Sequence, residues 1–486
     1  MKNLAHPIVS IITSLMVCGV AQAAHDKPNF IIILTDDQGY NDVGSFGSPD
    51  IKTPNFDRMA REGTRFTSAY VGAPVCGPSR AALMTGSYPI RIGEPRNRKA
   101  LHTVPHTKEL MLPEVLKQGG YTSGLIGKWH AGKKETQGDP LSQGFDYFFG
   151  TPEYNGFTKL IDQTDWRAPV MRNREVFIEQ VEQNDMDQLT TMYTEEAIRF
   201  IEENKDGPFF LYLAHNMPHV PLGVSDKFRG KSKGGLYGDV IEELDWSVGE
   251  ILNTLDEFDL NENTLIVFFS DNGPWIEDVI GDHGGNADPL RGSKMMSWEG
   301  GPRVPCIMRW PGTIPAGNES DALVTTMDLL PTFAGLADVP LPTDLSIDGQ
   351  NLTPLLTGQS EESPHEYYLY YCHTHLLAIR DARWKLVLPR SAKPEWMKWW
   401  ARMIDEVEDV QLYDLDSDIA ETTNLADRNP DVVARLMKQI ETARAELGDC
   451  DRIGSGARFF DKQKKRPNIQ KYLKWKQSQT MAENAR

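Results

Sequence analysis

The chain has 486 residues, 40% of them apolar and 25% charged, with a mean hydropathy of −0.44; this is a globular composition, long enough for a large α/β domain and a smaller partner. Its formal net charge of −18 excludes the basic face expected of a nucleic-acid binder. The same charge means that an anionic substrate needs a local cationic pocket against the overall field.

The chain opens with Lys2, an interrupted apolar run from Ile8 to Val20, and Ala21-Gln22-Ala23, an A-x-A cleavage site. This reads as a cleavable signal peptide over 1–23, too short and broken for a membrane span, with a mature start near Ala24 and a periplasmic or secreted destination. Val17 is larger than a lipoprotein site at Cys18 favours. Cleavage leaves Cys76, Cys306, Cys372 and Cys450, too few for a disulfide framework, with one bridge left open. Cys306, within "RVPCIMRW", reads as a small core residue.

Over residues 24–355, strand-like runs alternate with amphipathic helical stretches, which predicts an α/β fold: a large mixed, mostly parallel sheet flanked by helices. "NFIIIL" (29–34), "TSGLIG" (122–127), "PFFLYLA" (208–214), "TLIVFFS" (264–270) and "PCIMRW" (305–310) read as strands. Helical periods run through 53–63, 107–120, 190–204 and 237–258. From about residue 356 the pattern changes to antiparallel strands, joined by a tight "RDAR" turn, and one capped helix over 428–447. This predicts a smaller C-terminal α+β subdomain over 356–486. Its basic, aromatic tail from Phe459 reads as solvated or loosely docked, with contact to an acidic substrate as the alternative.

The residues just past each strand are more telling, because ligands of parallel sheets bind beyond the carboxyl ends. "IIIL" runs into Asp36 and Asp37, "VFFS" into Asp271 and Asn272, "GLIG" into Lys128 and His130, and "LYLA" into His215 and His219. If these strands share one sheet, acids, cations and histidines converge on one edge. Asp36, Asp37, Asp271 and Asn272 offer hard oxygen ligands, which suit Ca²⁺ or Mg²⁺ rather than zinc. Arg80, Lys128 and Lys294, with His130 and His219, suit a tetrahedral oxyanion ester whose transition state gathers negative charge. In "APVCGPSRAALMTG" Pro78 fits a first helical turn, which puts Cys76 at a helix N-terminus facing a bound anion.

These residues carry a family resemblance. "CGPSRAALMTG" resembles the Cys-x-Pro-Ser-Arg signature of the formylglycine-dependent type I sulfatases, of the alkaline phosphatase superfamily. "PNFIIILTDDQGYNDVG", "GKWHAG", "PFFLYLAHNMPHVP", "FFSDNGP" and "LRGSKMMSWEGGPRVPCIMRWPG" resemble the same family, in its order. The resemblance spans nearly the whole mature chain and implies an alkaline phosphatase-like catalytic domain. It implies that a maturation enzyme oxidises Cys76 to formylglycine (3-oxoalanine), whose hydrate attacks sulfur and later expels sulfate. It places one Ca²⁺ on Asp36, Asp37, Asp271 and Asn272 beside the modified Cys76. It makes Arg80 the group that stabilises the hydrate, and Lys128 and Lys294 the holders of sulfate oxygens. His130 becomes the base and His219 the acid at the leaving oxygen, with His215 left structural. Met295 and Met296 depart from the family's usual Gly-Lys-Gly-Thr, which bears on how the lysine loop packs.

The leader and the family together suggest desulfation of a sulfated polysaccharide or its oligosaccharides, most narrowly a marine galactan such as carrageenan. Arg96, Arg98 and His102, in "GEPRNRKALHTVPH", are candidates for the sugar-side wall, and the aromatics of "KPEWMKWWARM" (393–403) either stack on pyranose rings or pack. The partners implied are the sulfated carbohydrate and the maturation enzyme, with no nucleic acid and no membrane span. The rivals are a phosphonate or phosphate ester hydrolase on the same scaffold and a glycan-binding protein with a dead site.

Overall fold

The structure is a computed structural model that describes residues 27–93, 109–132, 138–154, 167–275, 283–459 and 466–484. The expected signal peptide, and Arg96, Arg98 and His102, lie outside the described residues.

Strand β1 (Asn29–Thr35) is buried along its whole length, as a central parallel strand covered on both faces must be. Its alternation divides the core: Phe30, Ile32 and Leu34 enter one apolar layer, Ile31 and Ile33 the other, as the two-residue period of a strand requires. Helices Cys76–Thr85, Leu112–Gln118 and Leu329–Leu336 close the first layer, and Pro54–Glu62, Leu189–Asn204 and Gly235–Glu257 the second.

The central ten-stranded sheet adds β2 (Thr64–Phe66), β4 (Thr122–Gly127), β5 (Tyr147–Gly150), β6 (Val170–Arg172), β7 (Glu175–Ile178), β8 (Phe209–Ala214), β9 (Thr264–Ser270), β10 (Cys306–Arg309) and β11 (Asn318–Ser320). Its order is β11-β2-β10-β9-β1-β8-β4-β5-β6-β7. Strands β9, β1, β8, β4 and β5 are mutually parallel. The strand expected in "PCIMRW" is β10, but it runs antiparallel to β9. Cys306 is buried in the first core layer. A two-residue ladder joins β3 (Ala69–Tyr70) to β12 (Val324–Thr325).

Register positions the site. Leu34 pairs with Ala214 and Phe269, Thr35 with Ser270, and Gly127 with Ala214, so four strands end at one level. Gly127 has φ +111, and a Cβ there would lie 1.9 Å from the Ala214 carbonyl oxygen. Only glycine lets the chain turn there towards Lys128.

Beyond the central sheet, β13 (Tyr368–Cys372), β14 (His375–Arg380), β15 (Trp384–Val387) and β16 (Gln411–Asp414) form an antiparallel sheet. The expected "RDAR" turn joins β14 to β15, with the Asp381 carboxylate accepting from the backbone N–H of Arg383 and Trp384. Helix Pro430–Glu446 buries Leu436, Ile440 and Ala443 in the same unit, and β17 (Gly448–Asp449) pairs with β18 (Arg452–Ile453). The tail is docked. Helix Pro467–Asn484 packs on the 3-10 segment Glu395–Met403. The buried Arg466 donates to the carbonyls of Ile90 and Arg458. Among the described residues Cys76, Cys306, Cys372 and Cys450 are buried and form no disulfide. Among the described residues no helix is long and apolar enough to cross a membrane.

A buried charge cluster ties the second sheet to the first. Glu299 accepts from Tyr70, Tyr370 and Lys385, and pairs with Arg303 at 3.2 Å. Lys385 also reaches Glu421 at 2.7 Å. Burial alone would raise the Glu299 carboxyl, but Lys385, Arg303 and Arg380 hold it well below the ordinary glutamate range. Burial pushes Glu421, the second acid on Lys385, up to about 7. Glu299→Ala leaves buried cations uncompensated, at a cost of about 3–5 kcal/mol, read as a loss of thermal stability. The depressed pKa adds a sign: the Glu299 contribution is present at neutral pH and lost as pH falls below the ordinary glutamate range. The gap between the melting curves of the two proteins should therefore hold from pH 7 down to the ordinary glutamate pKa of 4.5 and narrow only as the pH falls further; a gap that closes between pH 7 and that point contradicts the assignment.

Candidate active site

The site is assembled from strand ends. Asp271 N–H donates to the Thr35 carbonyl (2.9 Å), Asp37 N–H to Asp271 Oδ1 (3.2 Å), and Asp36 N–H to the Met217 carbonyl (3.1 Å). These bonds lock the residues after β1, β8 and β9 together. Asp36, Asp37, Asp271 and Asn272 are all fully buried. Asn272 Nδ2 donates to Asp37 Oδ1 at 2.7 Å.

Three buried cations face these three acids. The Arg80 guanidinium donates from Nε to Asp271 Oδ2 at 2.9 Å, pairs with the same oxygen through Nη2 at 2.8 Å, and donates to the Lys128 carbonyl at 2.7 Å. Lys128 donates to Asp36 Oδ2, and Lys294 to Asp37 Oδ1. Burial alone would lower the Lys294 ammonium, but Asp37 and the neighbouring acids raise it above the ordinary lysine range, so it stays charged.

Cys76 is the first residue of helix Cys76–Thr85, with Val75 as its cap and Pro78 in the first turn. Ligand atoms of Cys76, Asp36 and Asp271 lie within 4.8 Å of one another, as do those of Asp36, Asp37 and His219. Burial pushes the Cys76 thiol above its ordinary range. It is therefore neutral, and a neutral thiol is a poor nucleophile.

The histidines differ in their surroundings. His219 Nδ1 is 2.6 Å from the Val220 carbonyl, which turns Nε2 towards Asp37 Oδ2 at 3.7 Å. His215 instead meets Ser247 Oγ at 3.3 Å, and burial lowers it to about 3. His130 joins through Tyr154, whose ring centroid is 5.6 Å from His130 and 6.2 Å from His219. Asp37, His130 and Met295 hold positive φ of 71°, 53° and 71°, strain of the kind that collects at functional sites. Met295 shows how the lysine loop packs: its N–H donates to the Pro74 carbonyl at 2.7 Å, just before the nucleophile helix.

Whether the residues fit a hard divalent cation is tested by the oxygens left over. Asp36 Oδ1, Asp37 Oδ2 and Asn272 Oδ1 are buried without a hydrogen-bond partner. Buried carboxyl and carboxamide oxygens are normally satisfied, and three orphans on neighbouring residues form an oxygen donor set suited to such an ion. The residues fit.

Tyr154, Trp275 and His283 were not anticipated. Trp275 follows "DNGP", which reads as a turn, yet its indole carries the Lys294 ammonium 4.4 Å from the ring centroid and stands 6.2 Å from His219. His283 Nε2 lies 2.8 Å from the Pro218 carbonyl and so holds the loop that carries His219. Trp275→Leu removes a buried cation–π partner and should lower kcat/KM about tenfold, with Trp275→Phe recovering most of it. Equal losses in both variants contradict that role.

A buried set of three acids and three cations at the carboxyl edge of a parallel sheet, beside a residue presented by a helix start, defines a hydrolase of oxyanion esters. The family model described as Sulfatase matches residues 28–339, and one described as N-sulphoglucosamine sulphohydrolase, C-terminal, matches 292–446. The chain belongs to the sulfatase family, the sulfuric ester hydrolases. It is 37% identical over 435 residues to human steryl-sulfatase, covering 74% of each chain. It is 40% identical over 385 residues to mouse N-acetylgalactosamine-6-sulfatase, covering 75% of this chain and 73% of that one. The structure of Ps i-CgsB in complex with k-i-k-neocarrahexaose superposes with a TM-score of 0.75 at 31% identity, over 92% of this chain and 98% of that one. The PsFucS1 sulfatase from Pseudoalteromonas sp. gives 0.76 at 27%, over 86% and 90%. A phosphonate monoester hydrolase of Agrobacterium radiobacter, at 20% identity and a TM-score of 0.59, shares the fold alone.

Proposed function

We propose that this chain desulfates a sulfated polysaccharide or its oligosaccharides, most narrowly a carrageenan-type galactan, through formylglycine made from Cys76 and one Ca²⁺. The observation that carries this is the pairing of a buried, neutral Cys76 with three orphaned oxygens on Asp36, Asp37 and Asn272. The carbohydrate class is supported by the likeness to Ps i-CgsB in complex with k-i-k-neocarrahexaose. Asp36, Asp37, Asp271 and Asn272 hold the ion, which when bound draws negative charge towards position 76. The hydrated aldehyde supplies the oxygen nucleophile that a buried thiol does not.

The remaining work falls to this chain's residues. Lys128 and Lys294 bind sulfate oxygens in place of carboxylate oxygens, so the charge that develops on them meets preorganised ammonium groups. Arg80 fixes the hydroxyls at position 76. His219, in the imidazolium form that burial disfavours and the Asp37 and Asp36 carboxylates favour, delivers a proton from Nε2 to the leaving sugar oxygen as the oxygen at position 76 bonds to sulfur and the sulfur–oxygen ester bond breaks; His130 takes the proton whose loss releases sulfate. A periplasmic or secreted location and a maturation enzyme acting on the Cys76 signature belong to this reading.

The test is release of inorganic sulfate from a panel of sulfated oligosaccharides and a small aryl phosphonate. Sulfate from one galactan class, with negligible phosphonate turnover, is expected. Faster phosphonate hydrolysis would favour the rival chemistry.

A further inference from the structure

The C-terminal tail contributes to the surroundings of the nucleophile. One apolar cluster holds Val75, Cys76, Trp275 and Met295 together with Trp396 and Cys450, and Val220, Tyr472 and Trp475 pack on it. Tyr472 and Trp475 project from helix Pro467–Asn484, with ring centroids 5.8 Å apart, and Tyr472 is 5.6 Å from the buried Trp396. Tyr472 packs on the cluster that holds Cys450, which fastens the helix to the second sheet's unit. The aromatic row is therefore continuous with the residues flanking Cys76 and His219.

Charge sets this stretch apart. In a chain of net charge −18, residues 466–476 carry Arg466, Lys471, Lys474 and Lys476 and no acid. Arg466 is spent on backbone carbonyls. Lys474 and Lys476 are exposed, with Lys476 Nζ 5.9 Å from the Tyr472 ring centroid. Tyr472, Trp475 and Lys476 share one face of the helix at i, i+3 and i+4 spacing, whereas Lys474 lies on the opposite face. Half-exposed rings beside one ammonium group match the chemistry of a sulfated sugar chain: pyranose faces for the rings, a further sulfate for Lys476.

We propose that Tyr472, Trp475 and Lys476 form a subsite for neighbouring sugars of a sulfated oligosaccharide whose ester is held at position 76. The inference rests on the carbohydrate reading above and adds where the rest of the chain lies. It is local to the tail helix and leaves the chemistry at Cys76 untouched.

The test compares wild type with Lys476→Ala, Lys476→Arg, Trp475→Ala and, as a control on the opposite face of the helix, Lys474→Ala. Calorimetric binding of a sulfated galactan hexasaccharide and of its desulfated form is measured alongside turnover of a small aryl sulfate. Lys476→Ala should bind the sulfated hexasaccharide about tenfold more weakly and with less salt dependence, while Lys476→Arg and Lys474→Ala retain affinity. Trp475→Ala should weaken binding of both hexasaccharides, and aryl sulfate turnover should stay within twofold throughout. Unchanged hexasaccharide binding overturns the proposal, as does an equal loss of aryl sulfate turnover, which marks the helix as merely structural. Adsorption to anionic vesicles, with no preference for sulfated over desulfated sugar, assigns the lysines to a membrane surface and overturns it too. If the variants weaken binding but no oligosaccharide is desulfated, the substrate reading fails and the subsite stands.

Discussion

Cys76→Ala is expected to abolish sulfate release, by about 10⁴-fold or more, while the protein folds and melts close to wild type. Cys76 is fully buried at the first position of its helix, and its thiol is held neutral. Alanine fits there with only a small cavity, so folding is spared and chemistry is not. Cys76→Ser is the more telling variant. It restores a hydroxyl of similar size at the helix start, and if an ordinary alcohol at this position were enough, activity would return. Made in a host that oxidises only cysteine, it should stay inactive and still bind the substrate. Turnover by the serine variant near the wild-type rate contradicts the role given to Cys76.

Stripping divalent ions is expected to remove turnover, and Ca²⁺ to restore it. Stability follows the same titration. Asp36 Oδ1, Asp37 Oδ2 and Asn272 Oδ1 are buried without hydrogen bonds, and an unsatisfied buried oxygen costs about 1–3 kcal/mol. An ion bound only by the folded chain adds about 2.7 kcal/mol when present at 100 times its dissociation constant. The melting temperature should therefore rise with Ca²⁺ and fall in chelator. Asp37→Ala should flatten that dependence, because Asp37 supplies one orphaned oxygen and accepts from both Asn272 and Lys294. Full activity and an unmoved melting temperature in chelator contradict the ion site.

The parts of this site legible in the sequence were those fixed by local pattern. Strand ends are marked by apolar runs that stop at polar residues, so Asp36, Lys128, His219 and Asp271 could be gathered on one edge once a parallel sheet was inferred. Pro78 in a first turn located Cys76. Packing across long separations was not legible. Trp275 sits in a turn motif, and nothing local tells that its indole carries Lys294. Glu299 and Glu421 stand 122 residues apart, so the cluster joining the two sheets leaves no short-range trace. The antiparallel course of β10 is set by its partners β9 and β2, since a short apolar run looks alike in either direction. The tail was misleading for a physical reason: lysines and arginines suggest a solvated segment, yet Arg466 is swallowed by carbonyls of Ile90 and Arg458.

The central claim is that the working group at position 76 is not a thiol. Mass analysis of the peptide carrying residue 76, from enzyme whose sulfate release has been quantified, tests it most directly. The peptide should be lighter than its cysteine form by the difference between a thiol and an aldehyde, in a fraction that tracks specific activity from batch to batch. An unmodified thiol throughout a fully active preparation contradicts the account.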